Sequence, residues 1–345
     1  MALDTIIVTG GAGYIGSHTL IELMERTPFQ VISIDNFSNS SARAYERMES
    51  ITGRSVRALN VDLCDREATS RAIASVGAVS GIIHFAAFKS VPESMSDPGL
   101  YYRNNIGSLL NVLEAARSHA VPRFIFSSSC SVFGNIASLP VSEDSPLGEP
   151  ESPYAHTKQV GERIVAAHAR VMPGMNAISL RYFNPVGAHR SGRLGEDPIN
   201  PPTNLVPVIT RTAIGRMPEV VVHGSDYDTR DGSCVRDYVH VSDIAAAHVK
   251  ALEHASGRMA SNHEIFNLGT GSGVSVLGAI HAFEAVTGQR LHYRIGPRRA
   301  GDVAAIYSDT RRAHDVLGWK AERGLEDMMA SAWAWERHLR EERDG

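Results

Sequence analysis

Short apolar runs alternate with amphipathic stretches through the first half of the chain. Such runs are typical of buried strands, and apolar residues recurring every three or four positions indicate helices. The predicted strands are Thr5–Thr9, Val31–Ile34, Ser55–Asn60, Gly81–Phe85, Arg123–Phe126 and Asn176–Arg181. The predicted helices are Ser17–Met24, Glu67–Val76, Tyr101–Ser118 and Pro153–Val171. This alternation predicts an α/β fold built on a doubly wound parallel sheet.

The pattern changes after residue 182. Residues 184–202 are rich in glycine and proline and carry both charge signs, which predicts a long functional loop. The elements predicted after it are helices near Asn204–Gly215, after Ser242 and Asp243, at Val276–Thr287 and at Leu325–Leu339, and strands at Val220–His223, Cys234–Val235, Glu264–Leu268 and Leu291–Ile295. Because the strand at 264–268 is predicted to return to the main sheet, we expect a first domain over 1–182 with a returning segment near 240–270. A smaller mixed α/β domain is expected over 183–345.

Composition narrows the class of protein. The chain has 345 residues, 43% hydrophobic and 21% charged, with a net charge of −4 and no basic run, so we expect neither a nucleic-acid nor a membrane partner. No apolar stretch approaches the roughly 18–20 residues that span a bilayer. The first strand begins almost at Met1, which leaves no room for a signal peptide.

Cys64, Cys130 and Cys234 have neither zinc spacing nor a disulfide framework, so we expect no metal site and a cytoplasmic location.

A glycine-rich loop follows the first predicted strand and opens the first helix. Gly10, Gly13 and Gly16 are spaced to allow a tight turn, a close approach to a pyrophosphate, and close packing of helix on strand. Asp35 ends the second strand, nineteen residues after Gly16. A carboxylate at that point accepts hydrogen bonds from a ribose diol and repels a 2′-phosphate, so the sequence favours NAD over NADP.

Tyr154 and Lys158 lie four residues apart in the helix predicted to begin at Pro153, and therefore share one helix face. An ammonium beside a phenol favours the phenolate, so we expect Tyr154 to be a usable base near neutral pH. Alone, this spacing is more often a solvated helix face. Because a glycine-rich nucleotide-binding loop is predicted in the same half of the chain, we interpret Tyr154 and Lys158 as part of a redox site.

Several blocks of sequence, in order along the chain, resemble one known family. They are Gly10–Gly16 with Ser17 and His18, Phe85–Lys89, Phe126–Ser129, Tyr154–Lys158, Arg181–His189 and Val235–Val241. In these blocks the chain resembles the UDP-glucose 4-epimerases of the extended short-chain dehydrogenase/reductase superfamily, nearly from end to end. The resemblance implies a Rossmann-type NAD-binding domain, a UDP-sugar-binding C-terminal domain, and reversible interconversion of UDP-glucose and UDP-galactose on tightly held NAD.

The resemblance also implies roles for individual residues. Tyr154 would take the proton of the C4 hydroxyl while the C4 hydride passes to the nicotinamide, and the 4-keto sugar would turn over before the hydride returns. Ser129 would hydrogen-bond the C4 oxygen, and Lys158 would activate Tyr154 and hold the nicotinamide ribose. Positions aligned with cofactor contacts are Gly10, Gly13, Tyr14, Ile15, Gly16, Asp35, Asn36, Ser40, Asp62, Leu63, Phe85, Ala86, Ala87, Lys89, Asn104, Ser129, Tyr154, Lys158 and Phe183.

A second set of positions aligns with UDP-sugar contacts: Lys89, Ser129, Tyr154, Phe183, Asn184, Asn204, Leu205, Val222, His223, Arg236, Tyr238, Arg299, Asp302 and Ile306. Planar guanidinium groups suit diphosphates, so Arg236 and Arg299 are expected at the two phosphates. Asp302 is expected at a ribose or sugar hydroxyl. Ile306 aligns with a position where side-chain size is associated with acceptance of N-acetylated sugars, and isoleucine is intermediate in size.

Other functions share parts of this pattern. Sugar-nucleotide 4,6-dehydratases place an Asp-Glu pair after the Ser or Thr, as the acid and base for loss of water. This chain has Cys130 and Ser131 there, which cannot do that work, so a dehydratase is the less favoured alternative. A 4-epimerase of UDP-N-acetylglucosamine, UDP-glucuronate or a UDP-pentose stays open. The complete set of Ser129, Tyr154 and Lys158 argues against a non-catalytic NAD-binding regulator. The resemblance further implies a homodimer, formed by a four-helix bundle of the helices at 101–118 and 153–171.

Overall fold

A computed structural model describes residues 4–299 and 302–344. Its strands are β1 (Thr5–Thr9), β2 (Gln30–Asp35), β3 (Arg57–Asn60), β4 (Gly81–His84), β5 (Arg123–Ser129), β6 (Asn176–Tyr182), β7 (Asn184–Val186), β8 (Val220–His223), β9 (Val235–His240), β10 (His263–Leu268), β11 (Gly273–Ser275), β12 (Tyr293–Gly296) and β13 (Ala305–Ile306). Its α-helices are α1 (Tyr14–Arg26), α2 (Arg43–Thr52), α3 (Arg66–Ala74), α4 (Val91–Ser96), α5 (Pro98–Tyr101), α6 (Gly107–Ser118), α7 (Pro153–Val171), α8 (Leu205–Ala213), α9 (Val241–Ala255), α10 (Val276–Thr287), α11 (Arg311–Leu317) and α12 (Leu325–Asp344). Tyr102–Ile106 forms a π-helical turn and Cys130–Phe133 a 3₁₀ turn.

The main sheet has seven parallel strands in the order β10-β6-β5-β4-β1-β2-β3. Helices cover both sides of the sheet, so its central strands β1, β4 and β5 are buried on both faces, whereas the edge strand β3 is largely exposed. In β1, Ile6 and Val8 pack in a cluster with α1 and α9, whereas Ile7 packs in a cluster with α3, α6 and α7 on the other face. The doubly wound fold expected from the sequence is confirmed, and the strand predicted at 264–268 does join this sheet as β10.

The winding direction reverses beside β1, which pairs in parallel with both β2 and β4. The chain passes from β1 to β2 and β3 on one side, then returns to β4, β5 and β6 on the other. At such a switch point the loops at the carboxyl ends of the strands diverge and leave a crevice. The glycine loop, the end of β2 and the end of β5 therefore open into one cleft.

The second half of the chain builds a smaller unit around β9. This strand pairs with β7 and β13 in parallel and with β11 in antiparallel orientation, while β8 and β12 form a separate parallel pair. Its apolar core includes Ile209, Ile280, Phe283 and Met329, from α8, α10 and α12. The proposed division of the chain at residue 182 stays a prediction.

Several elements differ from those expected. The predicted helix at 101–118 is interrupted, because the π-helical turn separates α5 from α6. The strand expected at Cys234–Val235 runs instead from Val235 to His240, and the loop expected at 184–202 begins with the short strand β7. The short elements α4, α11, β11 and β13 carry too few periodic residues to be predicted, whereas α2 has ten residues and was missed. No helix of the described ranges is long and apolar enough to cross a membrane.

Gly161 allows α7 to pack closely on β5, and this contact gives a test of the fold. A Cβ at Gly161 would lie 2.6 Å from Cζ of Phe126, whereas a Cβ at Gly107, in α6, would meet nothing within 4 Å. We expect Gly161→Ala to lower the free energy of unfolding by about 1–3 kcal/mol through overpacking. Gly107→Ala should raise it by about 0.5–1 kcal/mol. Urea denaturation measures both, and equal effects of the two substitutions would contradict this account of the packing.

Candidate active site

The glycine loop brings backbone to backbone at the carboxyl end of β1. Gly10 has φ +70°, and a Cβ on it would lie 2.8 Å from the backbone nitrogen of Ala86. A Cβ on Gly16, in the first turn of α1, would lie 2.2 Å from the carbonyl oxygen of Gly10. Side chains are thus excluded from the space in front of the N-terminus of α1. That end of the helix presents unpaired N–H groups and positive potential. The glycine loop and the N-terminus of α1 together form a cradle that fits a dinucleotide pyrophosphate.

Hydrogen bonds fix the side chain of Asp35 at the end of β2. The residue is buried, with 8% of its surface exposed. Its Oδ2 accepts a hydrogen bond from the backbone nitrogen of Ala12 at 3.0 Å. Its Oδ1 accepts from the backbone nitrogen of Phe37 and from Oγ of Ser40, both at 2.9 Å. These donors orient the carboxylate beside the glycine loop, where a ribose diol is expected.

Lys158 and Ser129 are held on neighbouring elements beside Tyr154. The Lys158 ammonium is buried and donates a 2.7 Å hydrogen bond to the carbonyl oxygen of Ser127, in β5. Ser129 ends the same strand, and its hydroxyl accepts from the backbone nitrogen of Ser131 at 3.2 Å. Burial lowers the pKa of Lys158 to about 8, an effect that the nearby charge of Glu162 opposes.

The expected activation of Tyr154 by Lys158 stays a prediction, and the surroundings of the phenol show what the ammonium has to offset. Burial raises the pKa of Tyr154 to about 12, and the adjacent Ser129 hydroxyl only partly offsets this. The Lys158 nitrogen lies 5.9 Å from the centre of the Tyr154 ring and is already engaged by the carbonyl of Ser127. In the protein chain by itself, therefore, desolvation is the largest influence on the pKa of Tyr154 and keeps the phenol protonated at neutral pH.

Asn105 organises this region, although it lies in none of the motifs selected from the sequence. It lies in the π-helical turn, and its side chain bonds both backbone groups of Phe88, receiving from the nitrogen at 2.8 Å and donating to the oxygen at 3.0 Å. It also donates to Oγ1 of Thr157 at 3.2 Å, on α7. The loop after β4 is thereby joined to the helix that carries Tyr154 and Lys158. The only signal for this role in the sequence is a polar Asn-Asn pair within an otherwise amphipathic helix.

One cleft of about 710 Å³ gathers most of the residues selected from the sequence. All the positions aligned with cofactor contacts line it, from Gly10 to Phe183. Of the positions aligned with UDP-sugar contacts, the cleft is lined by Lys89, Ser129, Tyr154, Phe183, Asn184, Asn204, Arg236, Arg299, Asp302 and Ile306. Their individual roles remain predictions.

Four positions expected at the UDP-sugar lie outside this lining: Leu205, Val222, His223 and Tyr238. Val222 and Tyr238 belong to the apolar core of the smaller unit, and Leu205 packs against that core. His223 faces the backbone of Pro297, whose carbonyl oxygen lies 3.3 Å from its Nδ1. The geometry of these side chains therefore lends the predicted contacts no support.

Two arginines meet at one end of the cleft. Asp302 contacts both guanidinium groups, at 3.4 Å from Arg236 and 2.9 Å from Arg299. Arg236 also donates to the carbonyl oxygen of Val303 at 2.8 Å, which fixes its orientation. Asp302, expected at a sugar hydroxyl, here holds the two cations in place. The guanidinium groups of Arg236 and Arg299 offer several positively charged hydrogen-bond donors to a diphosphate.

Lys89 is bound to a carboxylate. It lines the cleft as expected, but its Nζ forms a 2.7 Å ion pair with Glu196. The same carboxylate accepts from Nδ2 of Asn204 at 3.0 Å. The expected approach of Lys89 to a phosphate would thus require it to exchange or share this partner.

Comparison with known proteins identifies the class defined by this fold and cleft. Residues 6–269 match the NAD dependent epimerase/dehydratase family, and the chain belongs to that family. It is 45% identical to a UDP-glucose 4-epimerase of Erwinia amylovora over 332 residues, which cover 96% of this chain and 97% of that one.

Two solved structures are similar along nearly their whole length. A UDP-glucose 4-epimerase from Bifidobacterium longum, in complex with NAD+ and UDP, is 44% identical with a TM-score of 0.93, covering 97% of this chain and 98% of that one. Another, from Stenotrophomonas maltophila with bound NAD and formylated UDP-arabinopyranose, is 42% identical with a TM-score of 0.93, covering 99% and 100%. The resemblance, the fold class and the dependence on NAD expected from the sequence are thereby confirmed.

The choice of NAD over NADP can be tested at Asp35. We expect Asp35→Asn to lower the ratio of the Kd for NADP to the Kd for NAD by about tenfold or more, because the charge that repels a 2′-phosphate is removed. Asp65→Asn is the matched control, since Asp65 caps α3 outside the cleft. Calorimetric titration of cofactor-free protein measures both ratios. A ratio unchanged at Asp35, or equally changed at Asp65, would contradict the assignment.

Proposed function

We propose that this protein is an NAD-dependent UDP-hexose 4-epimerase that interconverts UDP-glucose and UDP-galactose. The observation that carries the proposal is that Ser129, Tyr154 and Lys158 line the same cleft as the glycine loop and the arginine pair. A dinucleotide cradle, an acid–base group and a diphosphate anchor are the parts that a redox-neutral inversion at a sugar carbon requires.

The chemistry centres on the C4 hydroxyl of the sugar. NAD+, when bound, supplies the acceptor for the C4 hydride and later its donor. Tyr154 takes the hydroxyl proton and returns it at the end of the cycle, and Ser129 hydrogen-bonds the C4 oxygen. Lys158 offsets the cost of a buried phenolate, which matters because the pKa of Tyr154 is raised to about 12 by burial.

Inversion requires the planar 4-keto sugar to present its other face. Arg236 and Arg299, held by Asp302, supply charge for the diphosphate, so the nucleotide end stays anchored while the sugar ring turns. In the proposed cycle the hydride returns to the same carbon from the opposite side. No net oxidation occurs, and the cofactor has no need to leave between turnovers.

Loss of water from the sugar is disfavoured at this site. A 4,6-dehydratase needs a second acid and base after the Ser or Thr, and Cys130 and Ser131 occupy those positions. Burial raises the pKa of the Cys130 thiol to about 12, so it stays protonated and is a poor base. Epimerisation without elimination is therefore the proposed outcome.

The sugar preference is set near Ile306. This side chain is 4% exposed and packs in an apolar cluster with Phe183, Val132 and Phe133. We place UDP-glucose and UDP-galactose first, with the N-acetylated, glucuronate and pentose analogues as the alternatives.

We propose a homodimer that works in the cytoplasm. Tyr102 and Leu110, at 38% and 37% exposure, leave apolar surface uncovered around α6, and the adjoining α7 has intermediate exposure at Val160. Pairing of α6 and α7 with their copies would cover this surface. We expect sedimentation equilibrium at micromolar concentration to give twice the chain mass, and a monomer throughout that range would contradict the dimer.

The activity is tested with enzyme purified without added cofactor. We expect nicotinamide dinucleotide to be released on denaturation, and NMR to show conversion of UDP-galactose to UDP-glucose, with UDP-N-acetylgalactosamine as the competing substrate. Tyr154→Phe should retain the cofactor and lose at least about 100-fold in turnover, since only the proton-transfer group is removed. Tyr293→Phe is the matched control, because Tyr293 is 40% exposed in β12 and lies outside the lining of the cleft. Near-normal turnover of Tyr154→Phe would refute the role of Tyr154.

A further inference from the structure

A segment of the second half of the chain lies across the mouth of the cofactor cleft. We call residues 192–204 the strap. Its residues 194–198 and 200–204 line the cleft, opposite the loops that follow β1, β2 and β4. The strap contacts the first half of the chain on both sides of the glycine loop, as two junctions show.

The first junction is at α2, which follows β2. Arg47 is 8% exposed, and its NH1 contacts Oδ2 of Asp197, in the strap, at 3.2 Å. Its Nε and NH2 donate to the two carboxylate oxygens of Glu342, in α12, at 3.3 and 2.6 Å. The guanidinium also lies 4.8 Å from the ring centre of Trp335. One buried side chain of the first half of the chain thus binds both the strap and the C-terminal helix.

The second junction is at the loop that follows β4. Lys89 of this loop forms the 2.7 Å ion pair with Glu196 of the strap. The backbone oxygen of Glu196 accepts a 3.1 Å hydrogen bond from Nε1 of Trp335. A Cβ on the preceding Gly195 would lie 2.4 Å from Trp335, so the strap is packed tightly on α12 as well.

The order of the strands shows what the strap covers. Because β1 lies between β2 and β4, a segment held at α2 and at the loop after β4 must pass over the end of β1. The glycine loop begins there. Any molecule seated on that loop is consequently enclosed between the first half of the chain and the strap.

We propose that Arg47 is a positioning residue that holds the strap closed over the dinucleotide and thereby sets how long the cofactor stays bound. It acts through Asp197 and Glu342. Exit of the cofactor requires the strap to lift, and lifting it separates Arg47 from Asp197. The proposal requires only that NAD binds at the glycine loop, so it stands apart from the choice of sugar and from the proton-transfer roles.

The test measures cofactor release from the holoenzyme. Enzyme loaded with radiolabelled NAD+ is diluted into excess unlabelled NAD+, and the bound label is followed after rapid gel filtration. We expect Arg47→Met to release the label about tenfold faster or more, because affinity changes of this kind fall mainly on the dissociation rate. Arg43→Met is the matched control, since Arg43 is an exposed residue of the same helix.

A second variant separates retention from general loss of structure. Asp197→Asn removes the charge that faces Arg47, and Arg343 of α12 at 3.3 Å, and leaves the buried Arg47 with its partners Glu342 and Trp335 in place. It should also release NAD+ several-fold faster, while its far-ultraviolet circular dichroism spectrum matches that of the unsubstituted enzyme. Release from both variants within about twofold of the unsubstituted rate would overturn the proposal. Equal acceleration by Arg43→Met would overturn it as well.

Discussion

Two side chains one turn apart fasten α7 to the end of β5, and the site depends on this attachment. Lys158 donates to the carbonyl oxygen of Ser127 at 2.7 Å, and the carboxylate of Glu162 accepts from the hydroxyl of Ser128 at 2.5 Å. Arg181, opposite Ser128 in the sheet, closes the arrangement with two hydrogen bonds to Glu162 at 2.9 and 2.8 Å. Because the register of helix on strand is set in this way, Tyr154 and Ser129 open into the same cleft.

The same attachment determines the electrostatics of the site. Lys158, Arg181 and Glu162 are each at most 4% exposed, so one carboxylate serves two buried cations. Burying such groups is costly unless they are paired, and a network of this kind favours one arrangement of helix and strand more than it adds stability. Glu162 opposes the loss of charge on Lys158, whose pKa burial lowers to about 8. Glu162 thus helps to keep charged the ammonium that we propose for the stabilisation of a Tyr154 phenolate.

Local rules of sequence were enough for the cradle and for much of the fold. A strand that runs into spaced glycines and then a helix predicted Gly10 and Gly16, and the end of the second strand predicted Asp35. The interruption of the helix at 101–118 was not predicted, and Asn105 within it bonds the backbone of Phe88, 17 residues away in sequence. The loop at 184–202 was predicted to be functional, but the contacts of the strap were not, because Arg47 meets Asp197 and Glu342 across 150 and 295 residues of sequence. Sequence spacing also carries no information on desolvation, which raises the pKa of Tyr154 to about 12 in the protein chain by itself.

The central claim is that a hydride leaves the C4 carbon and returns to that same carbon. The most direct measurement follows UDP-glucose carrying deuterium at C4 through repeated turnovers in ordinary water, with proton and deuterium NMR of both sugars at equilibrium. The account predicts that deuterium stays at C4 in UDP-glucose and UDP-galactose alike, with none in the solvent. Deuterium appearing in water, or at C4 of unlabelled molecules added at the start, would contradict it.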